Sequence, residues 1–474
     1  MKNNLLNKFL QFSYGSLVGL ILGVVTTIIT TRLIEPEDLG KVSMFELFLN
    51  IGLILTIFGS DQAFIRFFYE EKPDLRGTLL YNSLRIPFIT SIFIISIIFV
   101  LYKPISKLLL GETNIIFVIF LTVGIILQLL FRFGQLVIRM EQKGNVYSLL
   151  QIIQRVFNLF FIILFYLIYG SSFEILVFSN IFTLILLSVI TIYIGKEFWH
   201  IKNIKNKNAK HSQIDILRYG SPFVMTIFIT WLFESFDKIA LRQWSTFEEL
   251  GLYTAAMKLV ALVSVLKTTF STFWTPIAYE KFENNQSNKI FFEYMSSLVA
   301  FIMFFVAIIS IAGRDIIVLL LGFDYRMSAL IMPFLVMMPI LYTISETTVI
   351  GINFYKKTQW HIIIAVISSI VNIVGNYLLV PKYGAIGASV STTFAYIIFF
   401  TLRTQISLKY YKVNYPVVKI YSMIIVVLIY ASYAIVNTNF LLNLLFSIIP
   451  IAILFLLFYK DLRYIYKYRV VWLK

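Results

Sequence analysis

The chain has 474 residues, 59% of them hydrophobic and 14% charged, with 40 Lys and Arg against 24 Asp and Glu and a net charge of +16. Soluble domains carry about 25% charged residues, so this composition excludes a fold that covers its surface with charge. The chain has no Cys, which excludes disulfides and thiolate chemistry but chooses no compartment.

Apolar residues arrive in blocks, such as 86–102, 149–169 and 421–436. Blocks of roughly 17–25 match a hydrocarbon core about 30 Å thick. Unpaired backbone groups in lipid cost several kcal/mol each, and a helix pairs all of its own. Barrel strands would show about ten residues alternating apolar and polar, a pattern missing here. The sequence therefore predicts an all-α polytopic membrane protein of about fourteen helices. In chain order they fall at 9–31, 42–60, 86–102, 115–138, 149–169, 174–194, 219–241, 252–273, 292–313, 329–351, 361–380, 385–405, 416–436 and 440–459. The first block is too long for a signal-peptide core and lacks a small-residue cleavage site, so it reads as a retained helix.

Basic charge sorts by side. About 28 Lys and Arg fall in alternate segments on the side holding both termini, about nine on the other, and three (Arg155, Lys258, Lys267) inside helices. The positive-inside rule then places both termini in the cytoplasm. The charge is topology, and nucleic acid is not an expected partner.

A duplication runs through the chain. Tyr14-Gly15-Ser16 returns as Tyr219-Gly220-Ser221, and Glu37-Asp38-Leu39-Gly40 as Glu248-Glu249-Leu250-Gly251. Leu109-Leu110-Gly111 returns as Leu320-Leu321-Gly322, while Asn158 and Tyr169-Gly170 return as Asn372 and Tyr383-Gly384. The order is kept and the offset grows slowly from 205 to 214 residues. The unit is six helices, an even number, so the halves are parallel repeats. The expected organisation is a six-helix lobe at 1–194, a basic cytoplasmic linker at 195–218, a second lobe at 219–405, and two extra helices with a basic tail at 406–474. The linker carries Lys196, Lys202, Lys205, Lys207, Lys210 and Arg218, placed to lie near anionic headgroups. Two such lobes suit transport by rocking around a central site.

A charge at mid-bilayer costs at least about 2.5–3.5 kcal/mol, so each needs a partner, a wet cavity or a function. Gln151, Gln154, Arg155 and Asn158 share one face of the fifth helix; cavity lining and interhelical hydrogen bonding both explain them. Gln128, Arg132, Gln135 and Arg139 form a second stripe on the fourth, whose lower members can snorkel to headgroups. Lys258 and Lys267 lie nine residues apart, on opposite faces of a straight eighth helix. Glu234 and Lys238 are spaced as an ion pair, with Asp237 beside them. Glu46 and Glu346 stand alone in apolar helices, as partners for distant bases or as proton carriers. Asn372 and Asn376 read as glue between helices. His200, His211 and His361 lack ligand spacing, and no Gly-rich phosphate loop is present. Nothing predicts catalysis, a metal or a cofactor.

Four stretches resemble a known family: Arg32-Leu33-Ile34-Glu35-Pro36-Glu37-Asp38-Leu39-Gly40, Asp61-Gln62-Ala63-Phe64-Ile65-Arg66-Phe67, Leu320-Leu321-Gly322-Phe323-Asp324-Tyr325, and Pro381-Lys382-Tyr383-Gly384-Ala385-Ile386-Gly387-Ala388. They are similar to the Wzx-like polysaccharide-biosynthesis flippases of the multidrug/oligosaccharidyl-lipid/polysaccharide (MOP) exporter superfamily. The resemblance implies two six-helix lobes in a V-shaped, MATE-like bundle with two added helices. It also implies movement of a polyprenyl-diphosphate oligosaccharide, such as an undecaprenyl-diphosphate one, to the outer leaflet of the bacterial cytoplasmic membrane. Polysaccharide polymerase machinery is the implied partner. A diphosphate crossing lipid needs basic groups to offset its desolvation, and Arg66, Arg132, Arg155 and either Lys258 or Lys267 are the candidates. Only Arg66 lies in a resembling stretch.

Two transport readings compete. A cation exporter of the same superfamily expects acidic groups in its cavity, for which Glu46, Glu234, Asp237 and Glu346 are available as ion-coupling or ion-pair residues. A flippase for lipid-linked peptidoglycan precursor shares the architecture and the anionic cargo. A structural or polymerase-partner membrane protein would transport nothing.

Overall fold

A computed structural model describes the backbone of residues 2–200, 202–205, 209–284 and 289–472, and the side chains of 11, 14–200, 202–203, 209–284 and 289–467. The linker side chains Lys205 and Lys207, and Arg469 and Lys474 of the basic tail, lie outside the described residues. Among the described residues, thirteen helices are long and apolar enough to cross a membrane. They are α1 (Lys2–Leu33), α2 (Pro36–Ile57), α3 (Arg76–Val100), α4 (Ile115–Met140), α5 (Gly144–Tyr169), α6 (Phe173–Ile194), α7 (Gln213–Trp244), α8 (Phe247–Asn284), α9 (Lys289–Ala312), α10 (Ser328–Thr348), a 52-residue helix Gln359–Tyr410, α13 (Val417–Val436) and α14 (Phe440–Lys467). The 52-residue helix is broken at Gly384, φ 52° and ψ −132°, and so holds two spans, α11 (359–383) and α12 (385–410). With that break the expected fourteen spans are accounted for.

The helices overrun the apolar blocks. α8 is 38 residues long where 22 were expected, and α14 continues past 459. Hydropathy marks only the part in hydrocarbon, while a helix continues through the polar headgroup layer wherever nothing stops it. Stops are local. Pro36 opens α2 at a position where its missing N–H costs nothing. The Asn114 side chain accepts from the Ile116 N–H at 3.0 Å and caps α4. Ser212 and Asp215 bond reciprocally at the start of α7. α10 is interrupted near Val336 and Val349 and contains Pro333 and Pro339. α14 breaks at Ser447, where Pro450 removes the N–H that would bond Phe446.

Packing divides the chain into two compact units, Met1–Ser235 and Phe236–Lys474. The boundary falls within α7. In the first unit, α7 is fastened at Gly220, where an added Cβ would sit 2.5 Å from the Gly59 carbonyl oxygen. Phe64, Phe68, Leu80, Leu84 and Phe133 form the core nearby. In the second unit Trp274, Phe292, Ile350 and Tyr411 pack together beneath α8 and α9.

The closest helix pairing in the first unit joins α1 to α5. Gly15, Gly19 and Gly23 follow one another at i, i+4 and i+8 along α1, the spacing that lets helix backbones approach in lipid. A Cβ on Gly15 would lie 2.4 Å from Ser148 Cα, whereas one on Gly23 would meet only Arg155 Cζ at 3.9 Å. Ser148 donates to the Gln11 carbonyl at 2.6 Å and Tyr14 to the Asn145 carbonyl at 3.0 Å. Gly15→Val is therefore expected to destabilise the protein by about 1–3 kcal/mol, and Gly23→Ala to be tolerated. Thermal unfolding in detergent checks this; equal effects would show that α1 does not rest on α5 through Gly15.

Candidate functional site

Two polar centres inside the helices have chemistry to offer, one in each unit. The first is Arg155. It lies eleven residues into the 26-residue α5, about 16 Å along the axis at 1.5 Å per residue, and so at mid-membrane depth. Its neighbour on the predicted stripe, Gln151, accepts from Ser16 of α1 at 3.1 Å, which is interhelical glue. Arg155 does otherwise. Its side chain passes Gly19, whose added Cβ would lie 4.0 Å from Cγ, and then Gly23. The two glycines present no side chain to it. The guanidinium is exposed, and among the described residues no carboxylate lies within 4 Å of it. A guanidinium at this depth is costly against lipid tails, so the position suits contact with water or an anion.

The other predicted bases are placed differently. Arg132 Nη2 is 2.9 Å from Asp61 Oδ2, with the Asp61 side chain nearly buried, so its charge is balanced within the unit. Arg66, on the short helix Ser60–Phe67, pairs with Glu70 one turn on, as an interfacial anchor does. Lys267 sits over the Tyr342 ring, 3.8 Å from its centroid. Lys258 is half-buried in α8.

Asp237 is the second centre, on α7 in the second unit. It is 3% exposed. Its Oδ1 accepts from Asn372 Nδ2 at 3.0 Å and Asn376 Nδ2 at 2.7 Å. Its Oδ2 accepts from Tyr253 at 2.7 Å and Thr392 at 2.6 Å. Glu234 is exposed. Asn372 and Asn376 are thus more than glue, since α11 aims both amides at one buried acid on α7. Asn376 Oδ1 is buried without a partner. Two amides and two hydroxyls all donate to this carboxylate, so both of its oxygens are satisfied as acceptors inside the unit. Among the described residues no cluster of three His, Cys, Asp or Glu exists to hold a metal.

For Glu346 the sequence left open a distant base or a proton, and the structure shows the base: Arg403 of α12 reaches it, Nη2 to Oε1 at 2.7 Å, and also donates to Ser345 Oγ at 2.6 Å. The guanidinium packs against Tyr342 and Phe399. The two residues are 57 positions apart, so no local spacing announces the pair. Glu46 is half-buried, with no ion-pair partner within 4 Å among the described residues. Asp61 and Arg403 are the functional-looking charges that sequence reasoning missed; Asp61 stood in a resembling stretch, whereas Arg403 lay in the cytoplasmic count. Arg403 is buried and the Glu346 side chain only 13% exposed, so Arg403→Ala is expected to cost about 3 kcal/mol of stability by stranding the acid. Glu346→Gln added to it should recover most of that loss in the same thermal measurement; no recovery would mean that packing, not charge, is what Arg403 supplies.

With this geometry in place, likeness to known proteins is informative. Residues 5–282 match the family model described as "Polysaccharide biosynthesis protein". The capsular polysaccharide biosynthesis protein CapF of Staphylococcus aureus is 23% identical over 381 residues, 77% of this chain and 90% of that protein. The solved structure of lipid II flippase MurJ in an inward closed conformation superposes with a TM-score of 0.68 at 18% identity, covering 97% of this chain and 99% of that one. An inward-facing multidrug resistance MATE family transporter of the MOP superfamily gives 0.60 at 14% identity, over 84% and 96%. The two structures show the fold, an all-α polytopic membrane bundle. The family match and the likeness to CapF support the expected MOP-superfamily flippase, serving polysaccharide synthesis through a lipid-linked oligosaccharide. The chain belongs to the polysaccharide biosynthesis protein family.

Proposed function

We propose that the chain moves a polyprenyl-diphosphate-linked oligosaccharide from the cytoplasmic to the outer leaflet by alternating access, with Arg155 as the group that meets the diphosphate. The observation that carries this reading is an exposed guanidinium at mid-membrane depth, lying over two glycines with no carboxylate in reach among the described residues. Charge-assisted hydrogen bonds to such a base offset the desolvation of a phosphate in a low-dielectric site. Arg132 is proposed as a second contact, reached when the anion competes with Asp61 for it. Lys258 and Lys267 are weaker candidates, and Arg66 serves the interface. Undecaprenyl diphosphate is the proposed carrier, the cytoplasmic membrane the proposed site with both termini in the cytoplasm, and polymerase machinery the proposed recipient.

The drive is proposed to enter at Asp237, by a proton or monovalent cation exchanging on its carboxylate. The same buried acid is what favours the second reading, a cation exporter, because an exporter needs an acidic site in the membrane. The cargo of MurJ, lipid II, differs from the proposed one only beyond the diphosphate, and MurJ shares the fold.

The test is exposure of an undecaprenyl-diphosphate oligosaccharide at the outer leaflet of proteoliposomes. Arg155→Ala is expected to lower the rate about tenfold or more, since hydrogen bonds to charged groups are worth roughly 1.5–3 kcal/mol, and Arg155→Lys to retain part of it. Asp237→Asn should abolish dependence on an imposed ion gradient while leaving lipid binding intact. Extrusion of an organic cation with no movement of the lipid would replace this reading with the exporter.

A further inference from the structure

The first unit has a groove away from both polar centres. It is ≈ 540 Å³ in volume and is lined by Val189, Ile192, Tyr193, Lys196, Trp199 and His200, within the roughly 300–1,000 Å³ of sites that hold small ligands. Val189, Ile192 and Tyr193 belong to the last turns of α6, and Lys196, Trp199 and His200 follow its end. The groove is therefore graded. Its inner part is apolar, with Val189 61% exposed and Tyr193 72% exposed, while its outer part is basic and lined by no acid.

The outer groups are positioned. Lys196 Nζ stands 5.9 Å from the Tyr193 ring centroid, so its ammonium is held at the aromatic end of the helix. His200 Nδ1 accepts from the Lys202 amide at 3.3 Å, which leaves Nε2 to carry the proton and donate. The Trp199 carbonyl accepts from Tyr81 of α3 at 2.6 Å, fixing the turn. In sequence, segment 195–218 holds six Lys and Arg against Glu197 and Asp215.

We propose that this groove binds one anionic glycerophospholipid of the surrounding bilayer, its phosphate between Lys196 and His200 and an acyl chain along Val189 and Ile192. An apolar track ending in donors and a fixed cation matches the order of groups along such a lipid, and a zwitterionic headgroup would bring its own ammonium against Lys196. Tyr193 and Trp199 lie where interfacial aromatics anchor a helix. The leaflet concerned is the cytoplasmic one, which rests on the proposed topology; binding itself does not.

Native mass spectrometry of the full chain, titrated with phosphatidylglycerol or phosphatidylcholine, tests it. Wild type is expected to retain phosphatidylglycerol over phosphatidylcholine. Lys196→Glu with His200→Gln should weaken that retention at least about fivefold, the scale of one basic charge at an anionic surface. Lys196→Arg should keep it, and Lys202→Glu, outside the groove, should behave as wild type. Unchanged retention in the double variant, or equal binding of the two lipids, overturns the proposal. So does a two-chain particle that the double variant splits, because a second copy would then fill the groove. A cysteine placed at His200, in a chain that has none, reports its side of the membrane separately. Labelling from outside the cell would refute the topology and leave the lipid site standing.

Discussion

Hydrocarbon neither solvates charge nor hydrogen-bonds backbone, and that single constraint sorts nearly every charged group in this protein. Where an acid and a base both enter the helices, they meet: Arg132 with Asp61 at 2.9 Å, Arg403 with Glu346 at 2.7 Å, and Lys419 with Asp461 at 2.7 Å. Such pairs gain little net stability, since desolvation cancels much of the attraction, but each forbids the loss of one partner. They act as constraints on which helices must stay adjacent. The groups outside that pattern then stand out, because the same constraint demands another explanation for them.

Glycine supplies the complementary device. In lipid no hydrophobic force draws one apolar helix to another, so close packing depends on small residues. Gly15 lets α1 settle on α5, and Gly220 lets α7 rest on the turn at Gly59. Gly384 does two things at once. Its positive φ breaks a 52-residue helix into two spans, and its bare Cα leaves room for Glu249, whose Oε2 accepts from the Ala385 N–H at 2.8 Å. A side chain there would strain the backbone and strike the carboxylate, 2.7 Å from where its Cβ would be. The repeated Tyr-Gly of the sequence is thus a repeated turn, for Gly170 also has positive φ.

The class, the number of spans and the family were legible because they rest on properties the chain carries locally: block length, absence of alternation, and short motifs in fixed order. The fifth-helix stripe was legible too, as a face. Which of its members would bond to α1 and which would stay free was not, since that depends on Gly19 and Gly23, residues with no side chain to signal a partner. The pairing of Glu346 was hidden for another reason. Arg403 lies in the last turns of α12 and reads in sequence as one more topological charge; only tertiary packing brings it to an acid 57 residues earlier. Asp237 was read only as standing beside the i, i+4 spacing of Glu234 and Lys238, the nearest pattern in sequence, yet its own bonds run to Tyr253 of α8, Asn372 and Asn376 of α11 and Thr392 of α12.

The repeat sharpens the contrast between the two centres. At the offset that aligns Asn158 with Asn372, Gln154 and Arg155 align with Ser368 and Ser369. The first copy thus places an exposed cation on this face, while the second places small hydroxyls there and aims its asparagine at a buried acid on α7. On the proposed function, the corresponding faces of the two copies carry opposite charge preferences. The arrangement is economical if the two units answer different ligands, an anion at the first and a proton or cation at the second.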